Sequence, residues 1–147
     1  MRDVRLLERE FSPAPPLARL ARDCPDAGGI ASYVGTVRSA GVFALELQHY
    51  APLTLPGMEA LAAAAQRRFG LDGVVVWHRT GRLRGGAPIV LAAAASRHRR
   101  PAIEAVDYLM DHLKAASWFW KRERRADGWH WIEPRADDHA ALARWAL

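Results

Sequence analysis

Residues 101–125 read PAIEAVDYLMDHLKAASWFWKRERR, an amphipathic run that passes without a break into a basic, aromatic one. Pro101 suits the first turn of a helix, and Ile103, Val106, Leu109, Met110 and Leu113 recur at the spacing of one apolar face. Glu104, Asp107 and Asp111 fall on the other side. If the helix continues, Lys114 and Lys121, seven positions apart, stand close to one face, where their ammonium groups can serve a single anionic pocket. Trp118, Phe119 and Trp120 lie between the two lysines and would wall that pocket.

Such a helix needs a sheet to pack on, and the preceding sequence supplies one. Val74 to Trp77 and Ile89 to Ala95 read as buried strands, separated by the arginine-bearing, glycine-rich turn Thr80 to Gly86. Ile30 to Val37 and Phe43 to Tyr50 resemble strands around the turn Arg38 to Gly41, which puts Arg38 at a strand end. Met58 to Phe69 carries a helical stripe that Gly70 stops, while the two prolines of Ala51 to Pro56 exclude a central strand there. Leu17, Leu20 and Ala21 suit a short helix ending near Cys24. Ala126-Asp127-Gly128 predicts a hairpin turn into Trp129 to Glu133, and Asp137 to Trp145 has weak helical periodicity. The mixture predicts one α+β domain spanning residues 1–147, without repeats or a long linker.

Composition narrows the function. Half of the 147 residues are hydrophobic and a quarter charged, which argues against disorder. The single Cys24 can form neither an internal disulfide nor a redox pair. The first residues alternate charge with apolarity, unlike a signal peptide, and no apolar run approaches membrane-span length, so a soluble cytoplasmic chain is expected. A net charge of +5 suits an anionic small molecule, an acidic protein partner or nucleic acid.

Arginine offers a rigid fork and lysine a mobile point charge, so Arg38, Arg99, Lys114 and Lys121 are candidates to hold a phosphate or carboxylate. His98 can donate a hydrogen bond or move a proton near neutral pH. The plainer alternatives are a solvated basic face and a turn histidine. The histidines are scattered with no HExxH spacing, the glycines about Arg84 do not form a phosphate loop, and Ser96 lacks a nucleophile-elbow context. No metal site is expected. Aromatic and basic residues together can also stack nucleic-acid bases, which keeps that class open.

Five short pieces occur in a telling order: YVGTVR at Tyr33–Arg38, LQHY at Leu47–Tyr50, HRTGRL at His78–Leu83, SRHR at Ser96–Arg99, and YLMDHLK with FWKRE over Tyr108–Glu123. In that combination the chain resembles the MoaE family, the large catalytic subunits of molybdopterin synthase, most strongly over residues 28–135. The resemblance implies an α/β-hammerhead fold with an additional, mainly antiparallel β subdomain. It implies an enzyme that transfers two sulfurs to cyclic pyranopterin monophosphate, forming the dithiolene of molybdopterin. The sulfur would come from the C-terminal thiocarboxylate of a small ubiquitin-like, MoaD-family partner, in a heterotetramer built on a dimer of large subunits, with no further cofactor, nucleic acid or membrane involved.

Residue by residue, the resemblance makes Lys114 and Lys121 the catalytic groups, and Arg38, His98 and Arg99 the substrate-binding ones. Arg135 resembles an arginine supplied across the dimer. Tyr33, Met110, Phe119 and Trp120 would shape the pocket. The chain departs from the family pattern at Tyr33, Gln48, Pro88 and Trp118, and by the added Ala51–Leu55. A noncatalytic scaffold that only clasps a peptide tail is the competing reading.

Overall fold

The computed structural model describes residues 1–40, 44–116 and 118–146. Gly41 of the predicted turn and Phe43 of the predicted strand lie outside them.

The apolar runs fold as a four-stranded sheet in the order β1 (Arg2–Leu7), β4 (Gly73–Arg79), β6 (Pro88–Ser96), β2 (Gly29–Thr36). Only the pair of β1 with β4 is parallel. Val74, Val76, Ala92 and Ala94 turn one face toward the helices α2 (Ala51–Phe69) and α3 (Arg99–Ala115), meeting Met58, Ala62 and Leu109. Val75, Trp77, Leu91 and Ala93 turn the other toward Leu20 of α1 (Ala14–Asp23). Burial on both faces is why the central strands are continuously apolar instead of alternating.

The second sheet is antiparallel throughout, in the order β5 (Gly81–Leu83), β3 (Ala44–His49), β7 (Phe119–Arg125), β8 (Gly128–Ile132). Here the residues alternate. Leu45, Leu47 and Leu83 close a small core with Val37, while Glu46, Arg82 and Arg122 occupy the opposite face. A short helix α4 (Ala136–Ala141) and a 3-10 turn (Leu142–Trp145) finish the chain.

The α+β architecture stands as expected, with local corrections. The helix does not continue to Lys121: Ala116 is extended (φ −67°, ψ 140°), and Phe119–Arg125 is a strand. Wound as a helix, that segment would scatter aromatics and charges all round; as a strand it sorts them onto two faces and pairs its backbone with β3 and β8. Helix α2 starts at Ala51, ahead of the predicted Met58. Its first proline sits where the N–H needs no partner, and Thr54 Oγ donates to the Tyr50 carbonyl at 2.8 Å. The strands flanking Arg38 join different sheets and do not pair with each other.

One side-chain placement also differs from expectation. Ile103 is 57% exposed, because α3 meets its neighbours through the small Ala102 and Ala105. Trp131, at 61% exposed, lies on the outer face of the second sheet. The strand β1 was not foreseen; its alternating charges suit an edge, and the pairing with β4 comes from far along the chain.

Candidate active site

The lysine pair sits where the two sheets meet. Lys114 is in the last turn of α3, and Lys121 comes two residues into β7. Across that strand Lys121 stands opposite Leu47 on one side and Ile132 on the other, both members of the small core of the second sheet. Its stem therefore lies over apolar surface. Burial, then the charge of Lys114, lowers its pKa, with Arg38 adding to the effect and Asp138 and Glu123 opposing it. Separate elements thus bring Lys114 and Arg38 within electrostatic reach of Lys121.

Arg38 is held there by its neighbours. The Val37 N–H donates to the Ala87 carbonyl at 3.0 Å, and the Gly86 N–H donates to the Val37 carbonyl at 2.8 Å. Gly86 has φ +83°, a conformation that favours glycine, so the glycine-rich turn clamps the arginine's strand end.

A third residue stands with the lysines. Alternation along β4 gives His78 the same side as Val74 and Val76, facing the helices. Its ring is 8% exposed and stacks on Phe119, with centroids 3.8 Å apart and planes 16° from parallel. Nδ1 lies 2.7 Å from the Arg79 carbonyl, so it carries the proton and Nε2 keeps its lone pair. Burial, reinforced by the charges of Lys114 and Lys121 against that hydrogen bond, brings the pKa to about 4, and the ring is neutral at pH 7. His78 appeared in the sequence only within HRTGRL; nothing local marked it as a neighbour of the lysines.

The other predicted residues divide. Arg135 caps α4 at the lysine end: its N–H donates to Asp138 Oδ2 at 3.0 Å and its exposed guanidinium lies 3.6 Å from the same carboxylate, the one that acts on Lys121. Met110 is half-buried, one turn before Lys114, and Phe119 is half-buried against the main core. Trp120, 49% exposed, takes the face of β7 opposite to Lys121, beside Gln48, so it does not wall the lysines. Trp118 instead covers Gly57 of α2, where any β-carbon would collide with the indole, and this accommodates the departure from the family pattern. Tyr33 is 44% exposed on the edge strand β2, its ring close over Gly35.

His98 and Arg99 stand apart from this group. They begin α3, His98 as its extended cap residue and Arg99 as its first member. From Arg99 to Lys114 the helix rises about 22 Å, so in one chain they cannot share a small guest. Arg99 instead lines a cleft with Arg100, Ile103 and Glu104.

Among the described residues no group of three His, Cys, Asp or Glu could hold a metal ion. Among the same residues no helix is long and apolar enough to cross a membrane. Basic residues on the second sheet are interrupted by carboxylates: Arg82 and Arg122 both bind Glu46, at 3.5 and 2.9 Å. A continuous phosphate track is not what this face offers.

The family model "MoaE protein" matches residues 6–116. The molybdopterin synthase catalytic subunit of Ralstonia nicotianae is 39% identical, covering 100% of this chain and 86% of that protein. The corresponding protein of Mesorhizobium japonicum is 40% identical over 97% of this chain and 92% of its own length. A solved structure of the molybdopterin biosynthesis MoaE protein from Burkholderia ambifaria superposes with a TM-score of 0.86 at 39% identity, covering 100% of this chain and 99% of that one. Sequence and fold agree, and the chain belongs to the MoaE family.

Proposed function

We propose that the chain is the catalytic half of a molybdopterin synthase and transfers two sulfurs to cyclic pyranopterin monophosphate. The donor is the C-terminal thiocarboxylate of a small ubiquitin-like partner. The observation that carries this reading is the meeting of Lys114, Lys121 and Arg38 at one junction of the fold, in a chain with catalytic-subunit relatives.

The thiocarboxylate sulfur bonds to a side-chain carbon of the pterin, leaving the partner's tail attached as a thioester, and the displaced oxygen departs with a proton. Water then attacks the acyl carbon. The sulfur stays on the pterin and the tail leaves as a carboxylate; a second donor delivers sulfur to the neighbouring carbon, an oxygen shared with the cyclic phosphate stays on the phosphate as its ring opens, and loss of a carbon-bound proton forms the double bond between the two sulfur-bearing carbons. Lys114 and Lys121 stabilise the oxyanions and supply the protons, a contribution of about 10²–10⁴ in rate for groups of this kind. The lowered pKa of Lys121 suits it to give and take a proton. Arg38 binds phosphate with its fork.

His98 and Arg99 reach the same guest only if a second copy of the chain presents them, which accords with a dimeric core. The test is incubation of the chain with the precursor and the thiocarboxylated partner, with products separated by mass. Species carrying one and two sulfurs are expected. Tight tail binding without sulfur-bearing product would favour the scaffold reading, and salt-sensitive binding to unrelated oligonucleotides without product would favour the nucleic-acid one.

A further inference from the structure

We infer that His78 is a positioning residue for Lys121: its ring, locked to the backbone of its own strand, is the seat on which Phe119 fixes the start of β7. The inference rests on the proposed reaction only for the importance of Lys121, not for the geometry.

The connection between α3 and β7 carries the site; the Trp118 carbonyl in it accepts from the Tyr50 N–H at 3.2 Å and from Thr54 Oγ at 3.4 Å, contacts that hold the backbone and leave the Phe119 ring to be fixed by what it packs on. Helix α3 ends at an extended Ala116, and β7 begins at Phe119. Lys121 is two residues further on and shares the strand face of Phe119, so any rotation or slip of Phe119 carries the ammonium with it. The near-parallel stack of His78 on Phe119 opposes that movement. A stack of two rings holds an orientation only if one is fixed. Here the fixed ring is the imidazole, in a wholly buried strand with Nδ1–H on the Arg79 carbonyl at 2.7 Å.

The chemistry of the seat also has to be neutral. A leucine would fill space without a flat face, and a lysine or arginine would add a third positive charge beside Lys114 and Lys121. A histidine that donates through Nδ1 and stays unprotonated at Nε2 combines a flat ring, an internal tether and no charge. Arg79 contributes through its backbone, while its own guanidinium reaches away to the Glu8 and Arg82 carbonyls, each at 3.2 Å.

The experiment follows the Lys121 amine directly, by NMR titration in the assembled protein with its partner, alongside turnover. Loss of the seat in His78→Leu should let water reach the ammonium. Its titration midpoint is then expected to rise toward the free-lysine value, and kcat to fall about tenfold to a hundredfold with KM little changed. His78→Phe keeps a flat ring and should retain most of both. Phe119→Leu removes the same stack from the other side, and the double variant should add nothing to either single one. An unchanged midpoint in His78→Leu, or effects of His78→Leu and Phe119→Leu that add, would overturn the inference. If His78→Leu does not fold, Phe119→Leu with His78→Phe decides it by the same criteria. A raised midpoint with unchanged turnover would uphold the seat and count against a role for Lys121 in the reaction.

Discussion

The two ends of α3 are both basic and otherwise unlike. At its C-terminal end Lys114, itself exposed, adjoins a buried neutral histidine, a lysine whose stem crosses a small core, and the cap of α4. At its N-terminal end Arg99 and Arg100 are exposed, beside an isoleucine that is itself mostly in solvent. One end has its surroundings built by the chain: charges are brought together against apolar surface, which is costly and suits chemistry. The other offers forked cations and apolar area in a cleft lined, among the described residues, by α3 alone. It reads as the contribution of a surface meant to be completed by another molecule.

Three changes probe this contrast. Lys114→Ala removes a charge from the built end and should lower product formation by about 10²–10⁴, with folding and partner binding retained, as read by mass-resolved turnover and by titration of the partner. Wild-type turnover in that variant would remove the lysine from the mechanism.

The second concerns pH. His78 titrates at about 4 in the fold against 6.5 unperturbed, so between those values the unfolded chain binds the extra proton. Stability from this group is therefore complete above pH 6.5 and is lost as pH falls toward 4. The shift corresponds to roughly 3 kcal/mol. Denaturant midpoints measured across that interval should show the slope, and His78→Phe should flatten it.

The third and smallest effect belongs to the open end. On the proposed reading Arg99→Ala deletes a contact to the precursor's phosphate, and KM for the precursor should rise about tenfold to a hundredfold while kcat holds, the loss expected for a charge-assisted hydrogen bond used equally in ground and transition states. A fall in kcat with KM unchanged would place Arg99 in the chemistry instead.

Much of the fold was readable beforehand. Val74 to Trp77 and Ile89 to Ala95 announced buried strands through unbroken apolar runs, and Gly70 marked the end of α2, where it takes φ +62°. The region holding the site was harder to read, because its structure depends on distant partners. Phe119 to Arg125 becomes a strand by pairing with Ala44 to His49, seventy to eighty positions upstream, and no local pattern foretells that register. The lysines were identified, but for a reason the structure replaces: they meet because a helix ends and a strand begins, not because one helix carries both. His78 escaped notice since a lone histidine in an apolar run looks like any core residue. Its meaning comes from Phe119 and the lysines, all remote in sequence.

The most direct test of a reaction centre completed between copies uses two variants that are each defective. Chains with Lys114→Ala and chains with Arg99→Ala are co-expressed under different affinity tags, mixed dimers are isolated with the partner bound, and turnover is measured at precursor concentrations below KM. A mixed dimer contains one centre with both defects and one with neither, so about half of wild-type activity per dimer should return. Activity no higher than the mean of the two parent variants would contradict the account, since it would mean that no centre draws Lys114 from one chain and Arg99 from the other.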